Sequence, residues 1–209
     1  MSRQKGGLDR WASRFVKRIL HLPSTASQAY LHTPQHLGGV GLPSTRTELA
    51  VLQVAHFFRM ATCPDPVVRS AAHHLLQRLV TQRCLVGSPT LGHCVALLNA
   101  ELPILQQGRG SSLSPVLASF AYLRKEIGLR AEAHDTGLAL SFQVPGGRSW
   151  LITADSRAST IAALHEAVGL AFFQAWRSQP NQGKAAALIA ENPAALAPFD
   201  RFSGMRFCD

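Results

Sequence analysis

The sequence predicts a mainly α-helical protein with one small β-hairpin. Apolar residues recur at helical spacing through most of the 209-residue chain, in segments that Pro and Gly separate. One stretch, residues 138–144, instead alternates with period two, and a Pro-Gly-Gly turn follows it directly. Hydrophobic residues make up 46% of the chain, which is typical of a globular protein and argues against global disorder.

The N-terminal helix is predicted from about Asp9, a candidate N-cap, to about Leu20, after residues 1–7 that we expect to be disordered. At about 100° per residue its side chains divide into two faces. One face is apolar: Leu8, Trp11, Ala12, Phe15, Val16 and Ile19. The other is basic: Arg10, Arg14, Lys17 and Arg18. Such a helix docks its apolar side on a core or lies on a membrane, and we favour docking, because Pro and Gly shape the following loop.

That loop is predicted to have a defined shape. Pro23 should end the helix, because its ring removes an N–H and restricts the residue before it. Gly38, Gly39 and Gly41 can adopt positive φ or allow close approach of a neighbouring segment. We expect at least one of the three to do so before Pro43, which precedes the next helix.

Six more helices and the hairpin complete the prediction. The first begins with Thr45 and Glu48 in capping-box spacing, and the second with Asp65 as N-cap and Pro66 at the first helical position. The helices are expected at about 45–61, 66–83, 89–106 with an interruption near Pro103, 115–127, 156–178 and 182–190. The hairpin at 138–153 must pack on a helix, because a lone hairpin is marginal in water. The predicted segments are 8–60, 61–106, a flexible connector at 107–114, and 115–209.

Composition narrows the classes of partner. The net charge of +9 favours a polyanion, and the first 20 residues hold six basic side chains against Asp9 alone. No apolar run reaches the ~20 residues that a membrane span needs, and the basic N-terminus lacks the apolar region of a signal peptide. The four cysteines form no C-x-x-C pair, so we interpret them as reduced thiols of an intracellular protein.

The sequence offers little support for a chemical site. Cys84, His93 and Cys94 could suggest a metal, but two of them are adjacent and no fourth ligand is near, so we interpret them as buried thiols and a surface histidine. The chain has no Asp-Asp pair, no H-E-x-x-H and no G-x-S-x-G motif. We therefore expect no catalytic residues, no metal and no cofactor.

A family resemblance depends on an ordered series of residues that follows the basic helix: Leu20, Leu22-Pro23, Ser24-Thr25, Ala29-Tyr30, Pro34, Gly38-Gly39, Gly41 and Leu42-Pro43. The series resembles the segment just after the catalytic palm in non-LTR (LINE-type) retrotransposon reverse transcriptases, above all the site-specific class with a restriction-like endonuclease. Weaker similarity recurs at Asp65-Pro66, 182–184 and 206–209. The resemblance implies that 8–60 is the end of the polymerase thumb with the first linker helix. The palm would then lie upstream of this chain, and a zinc knuckle and the endonuclease downstream.

The resemblance also implies a function. It predicts a non-catalytic fragment of a nuclear polymerase whose partners are RNA template and DNA primer, not a membrane or a small molecule. Binding would use the basic face of Arg10, Arg14, Lys17 and Arg18, with weak contacts from His32 and His36. Three alternatives stay open: a merely solvated helix face, a helical protein-interaction module, and a decayed element fragment without function. The sequence does not specify an oligomeric state.

Overall fold

The computed structural model describes residues 2–104, 113–134, 137–144, 148–153, 157–180 and 191. These residues form a mainly α protein with a small antiparallel sheet, as the sequence predicts. The helices are α1 (Ser2–Ile19), α2 (Gln28–His32), α3 (Thr45–Ala61), α4 (Pro66–Cys84), α5 (Leu91–Leu98), α6 (Ser114–Ile127) and α7 (Arg157–Arg177). The strands are β1 (Arg130–His134), β2 (Gly137–Gln143) and β3 (Ser149–Ile152).

The chain divides into two compact units. One contains residues 1–45 and 169–209, and the other contains residues 46–168. One boundary falls at the start of α3 and the other inside α7. Most of the expected connector at 107–114 and all of the expected helix at 182–190 lie outside the described residues.

The unit formed by residues 46–168 has a helical core with well-marked ends. The Asp65 side chain accepts a hydrogen bond from the Val67 N–H at 2.8 Å, so α4 begins with the predicted N-cap followed by Pro66. Phe57 and Phe58 of α3 are buried, and the Phe57 ring meets Phe120 of α6 edge to face at a centroid distance of 6.3 Å. These contacts place the apolar face of α3 in a packed interior.

The sheet confirms the predicted hairpin and contains a third strand, β1, that the sequence does not predict. Strands β2 and β3 pair antiparallel, with Leu140 opposite Ile152, and β1 pairs on the other edge of β2 with Ala131 opposite Leu140. Strand β1 lacks β-branched and aromatic residues, which is why no strand was predicted there. The Asn99 amide fixes it by donating to the Ala131 carbonyl at 2.9 Å and accepting from the Ala131 N–H at 2.8 Å.

The unit that contains α1 is built around the Pro- and Gly-rich loop. Ala29, Phe173 and Trp176 form its buried cluster, with Tyr30 and Leu37 packed against it. The Tyr30 and Trp176 rings lie 4.9 Å apart between centroids. The end of α7 therefore supplies the core that holds the loop, although about 140 residues separate the two segments in sequence.

Candidate nucleic-acid interface

Helix α1 starts earlier and ends differently from the prediction. It begins at Ser2, so residues 2–7 are helical and Asp9 lies inside the helix, not at its N-cap. It ends at Ile19, where His21 adopts a left-handed φ of 51° and the Leu22 N–H donates to the Lys17 carbonyl at 2.8 Å. The helix therefore ends at this turn and not at Pro23, and the chain reverses direction after it.

Polar contacts attach α1 to the rest of its unit. The Ser13 side chain is almost fully buried, and its hydroxyl donates to the Asp9 carbonyl at 2.7 Å and lies 2.9 Å from Gln28 Oε1. The Asp9 carboxylate accepts from the Ser44 hydroxyl at 3.1 Å and from the Thr45 N–H at 2.9 Å. Helix α3 begins at Thr45, so Thr45 occupies the first helical position and not the N-cap position that the capping box requires. The Asp9 carboxylate satisfies the Thr45 N–H.

Four of the six residues on the apolar face of α1 are exposed and Ala12 and Val16 are half-buried, so the expectation that this face docks on a core is wrong for this structure. The exposed fractions are 55% for Leu8, 63% for Trp11, 51% for Phe15 and 57% for Ile19. The buried side of the helix is centred on Ser13, which lies between the two predicted faces. The buried side of α1 therefore carries the Ser13 hydroxyl, which has two polar neighbours, and no aromatic side chain.

The four basic residues predicted to bind nucleic acid share one groove. The groove has a volume of about 470 Å³. Its lining consists of Arg10, Ser13, Arg14, Lys17, Arg18, Leu22, Ser24 and Gln28. Three of these side chains come from the turn and short helix after α1, because the left-handed residue His21 reverses the chain there. The result is a concave basic surface whose lining also includes two serines and a glutamine.

The four basic side chains are not equivalent. The Lys17 ammonium donates to the Ser24 carbonyl at 2.8 Å, and this side chain is half-buried. Arg10, Arg14 and Arg18 are exposed, and within the described part of the chain no carboxylate lies within ion-pair distance of them. The three guanidinium groups are therefore open to solvent, whereas the Lys17 ammonium keeps its charge but is held against the Ser24 carbonyl.

The glycines of the loop hold its shape. Gly38 and Gly41 have φ values of 84° and 73°, in the left-handed region that favours glycine. A Cβ on Gly39 would lie 2.1 Å from the Thr33 carbonyl oxygen, which no side chain can tolerate. The loop returns along α2, with the Leu42 N–H donating to the Leu31 carbonyl at 2.8 Å.

The loop histidines differ in their surroundings. His32 Nδ1 lies 2.8 Å from the Leu42 carbonyl oxygen, and its ring packs against Phe172 at a centroid distance of 5.3 Å. His36 is exposed. His32 therefore supports the loop, and of the two only His36 lies open to solvent for the weak contacts that the sequence suggested.

The described residues give no support to a metal site. They contain no group of three His, Cys, Asp or Glu side chains that could hold an ion. His93 instead forms a capping box with Thr90 at the start of α5. Cys84 and Cys94 are buried, and this burial raises the pKa of both thiols, so they are poor thiolate ligands. No helix in the described ranges is both long and apolar enough to cross a membrane.

Comparison with known proteins gives one partial similarity. No family model matches the chain, and no solved structure matches it. Over 59 residues the chain is 34% identical to the Retrovirus-related Pol polyprotein from type-1 retrotransposable element R2 of Popillia japonica. That match covers 28% of this chain and 12% of the polyprotein, so the chain spans a small part of its relative's length. The similarity supports a retrotransposon-related origin for this protein.

Proposed function

We propose that this protein is a fragment of a retrotransposon reverse transcriptase in which residues 8–60 are the end of the thumb and the first linker helix, and that it binds RNA or an RNA–DNA hybrid through α1. The observation that carries the proposal is the groove in which Arg10, Arg14 and Arg18 lie together and exposed. The partial similarity to a Pol polyprotein supplies the context, because a polymerase thumb must hold its template and primer.

The chemistry of the groove suits a phosphate backbone. A guanidinium presents a planar fork of N–H donors that matches phosphate oxygens, and it stays charged at every physiological pH. Ser24 and Gln28, both exposed, line the groove beside these forks. Such contacts position a nucleic acid without reading its bases, so we expect little sequence preference.

The proposal includes the absence of polymerase activity and a nuclear location. The Asp-Asp pair that a palm uses to hold two divalent ions does not occur in the sequence. Purified protein with Mg²⁺, an RNA template and a DNA primer should give no extension product above background. A templated product that survives stringent purification would refute this part. Fluorescence microscopy of the tagged protein tests the location.

Binding is tested with two variants that lose the same charge. The interface variant replaces Arg10, Arg14 and Arg18 by Gln, a substitution that keeps helix propensity. The control variant replaces three exposed basic residues of the other unit by Gln: Arg59, Arg78 and Lys125. Fluorescence anisotropy with a labelled RNA–DNA hybrid in about 100 mM salt gives the affinities.

The interface variant should bind at least about tenfold more weakly than the wild type, because phosphate contacts dominate such affinity. The control variant should stay within about threefold of the wild type, because it changes net charge but not the groove. Equal losses in both variants would show that net charge alone attracts nucleic acid. No loss in either would favour a helical protein-interaction module.

A further inference from the structure

An aromatic pair stands exposed on α1 and takes no part in the core of its unit. The Trp11 and Phe15 rings lie one helical turn apart, with centroids separated by 5.4 Å and planes inclined by 7°. Their exposed fractions are 63% and 51%. Parallel aromatic rings that project into solvent present flat apolar faces of the kind on which another ring system stacks.

This pair lies beside the arginines, not opposite them. At 3.6 residues per turn, Arg18 projects about 20° from Trp11 around the helix axis, and Arg14 about 60°. Phe15 lies about 40° from Trp11 on the other side. Since Ser13 occupies the buried side, Arg14, Arg18, Trp11 and Phe15 follow one another across a single solvent-exposed surface. A basic edge and an aromatic edge therefore run side by side along α1.

We infer that Trp11 and Phe15 form a stacking platform for unpaired bases, and that α1 binds a single-stranded segment of nucleic acid; this inference rests on the proposed function. A strand whose phosphates follow the arginine edge brings its bases over the aromatic edge. In a duplex the bases stack on one another, so a blunt duplex can use the arginines but not the two rings. Stacking of a base on an aromatic side chain strengthens binding roughly 5- to 150-fold per base.

The surface fits this ligand better than a lipid bilayer. A basic amphipathic helix with Trp can also lie on an anionic membrane. Here, however, the arginines line a concave groove that also contains Ser13, Ser24 and Gln28, and a flat bilayer cannot fill such a groove. A narrow chain of phosphates can enter it while its bases reach the rings.

The experiment uses the full chain and three nucleic-acid probes of about 12 nucleotides. They are a single-stranded RNA, a sugar-phosphate strand of equal length without bases, and a blunt RNA–DNA hybrid. The aromatic variant is Trp11→Ala with Phe15→Ala. The control variant is Leu8→Ala with Ile19→Ala, which removes equally exposed aliphatic side chains from the same stripe. Trp11→Phe keeps an aromatic ring, and far-UV circular dichroism checks that every variant keeps its helix content.

The aromatic variant should bind the single-stranded RNA at least about fivefold more weakly, with less than about a twofold change for the hybrid and the base-free strand. The control variant and Trp11→Phe should bind within about twofold of the wild type. Binding of the RNA should also quench tryptophan fluorescence, and Trp11→Phe should lose that quenching. Of the other two tryptophans, Trp176 is buried, and Trp150 belongs to the other unit, where its ring packs against Phe142.

Failure of the inference and failure of the proposed function give different results. If the interface variant, which replaces Arg10, Arg14 and Arg18 by Gln, loses affinity but the aromatic variant does not, the platform is refuted while phosphate binding stands. If the interface variant keeps full affinity, the proposed function itself fails. Equal losses in the aromatic and aliphatic variants would overturn the platform in favour of an apolar docking face. A blue shift of Trp11 fluorescence on anionic phosphatidylserine vesicles, without quenching by RNA, would assign the surface to a membrane.

Discussion

Helices α1 and α3 have similar lengths and both carry an apolar stripe, but they use it in opposite ways. In α3 the stripe is buried, and Val51, Val54 and Phe58 are inaccessible to solvent. In α1 the aromatic residues Trp11 and Phe15 are more than half exposed, and Ser13 is buried instead. Helical periodicity thus predicts that a stripe exists, but it does not reveal what covers the stripe. In α1 the arginines next to the stripe indicate its role better than the helical periodicity does.

The largest expected difference between the two helices is in stability. Phe58→Ala in α3 removes a fully buried ring and should lower the free energy of unfolding by about 3–5 kcal/mol. Phe15→Ala in α1 removes a half-exposed ring and should cost less than about 1 kcal/mol. Urea denaturation followed by circular dichroism measures both. Comparable losses would mean that Phe15 is part of a core and would remove the contrast between the helices.

A second test compares two glycines of the unit that contains α1. Gly39→Ala should lower the free energy of unfolding by about 1–3 kcal/mol, because the new Cβ meets the Thr33 backbone and neither segment can move easily. Gly7→Ala is the matched control, since a Cβ there has no neighbour within 4 Å. It should stabilise α1 by up to about 1 kcal/mol. A Gly39→Ala protein as stable as the wild type would show that the loop is not shaped by this contact.

The smallest expected effect concerns the polar attachment of α1. Asp9→Ala removes the acceptor of the Ser44 hydroxyl and the Thr45 N–H and should cost about 0.5–2 kcal/mol, as loss of a helix N-cap does. Asp9→Asn keeps one acceptor oxygen and should lose less than Asp9→Ala. Thermal melts of the two variants beside the wild type measure the difference. Unchanged melting for Asp9→Ala would mean that other contacts hold α1 in place.

Elements with local signals were predictable from the sequence. Asp65 and Pro66 mark the start of α4, and Gly128, with a φ of 65°, marks the end of α6, because capping depends on residues adjacent in sequence. Strand β1 was missed because its stability comes from pairing with β2 and from the Asn99 amide. Helix α2 has five residues, too few to show a period, and the Ser27 cap and the packing of Trp176 hold it in place.

The candidate site was predictable only in part. Placing Arg10, Arg14, Lys17 and Arg18 on one surface needs nothing beyond the helical period, and the structure brings all four to one groove. The hydrogen bond from Lys17 to the Ser24 carbonyl was not predictable, because it depends on where the turn after α1 places that carbonyl. The direction in which α1 faces was predicted wrongly, because Asp9 and Ser13 find polar partners at positions 28, 44 and 45, and no sequence pattern marks those contacts.

The salt dependence of binding tests the phosphate-binding role of the arginine groove most directly. Each phosphate contact contributes about −0.9 to the slope of log K against log salt concentration on a duplex. Because Lys17 already donates to Ser24, we expect its contribution to be small and that of the three arginines to total about −3. Titrations of a blunt RNA–DNA hybrid over about 50–200 mM salt compare the wild type with the variant that replaces Arg10, Arg14 and Arg18 by Gln. A slope shallower by about 3 in the variant is the predicted result, and equal slopes with equal affinities would contradict the proposed interface.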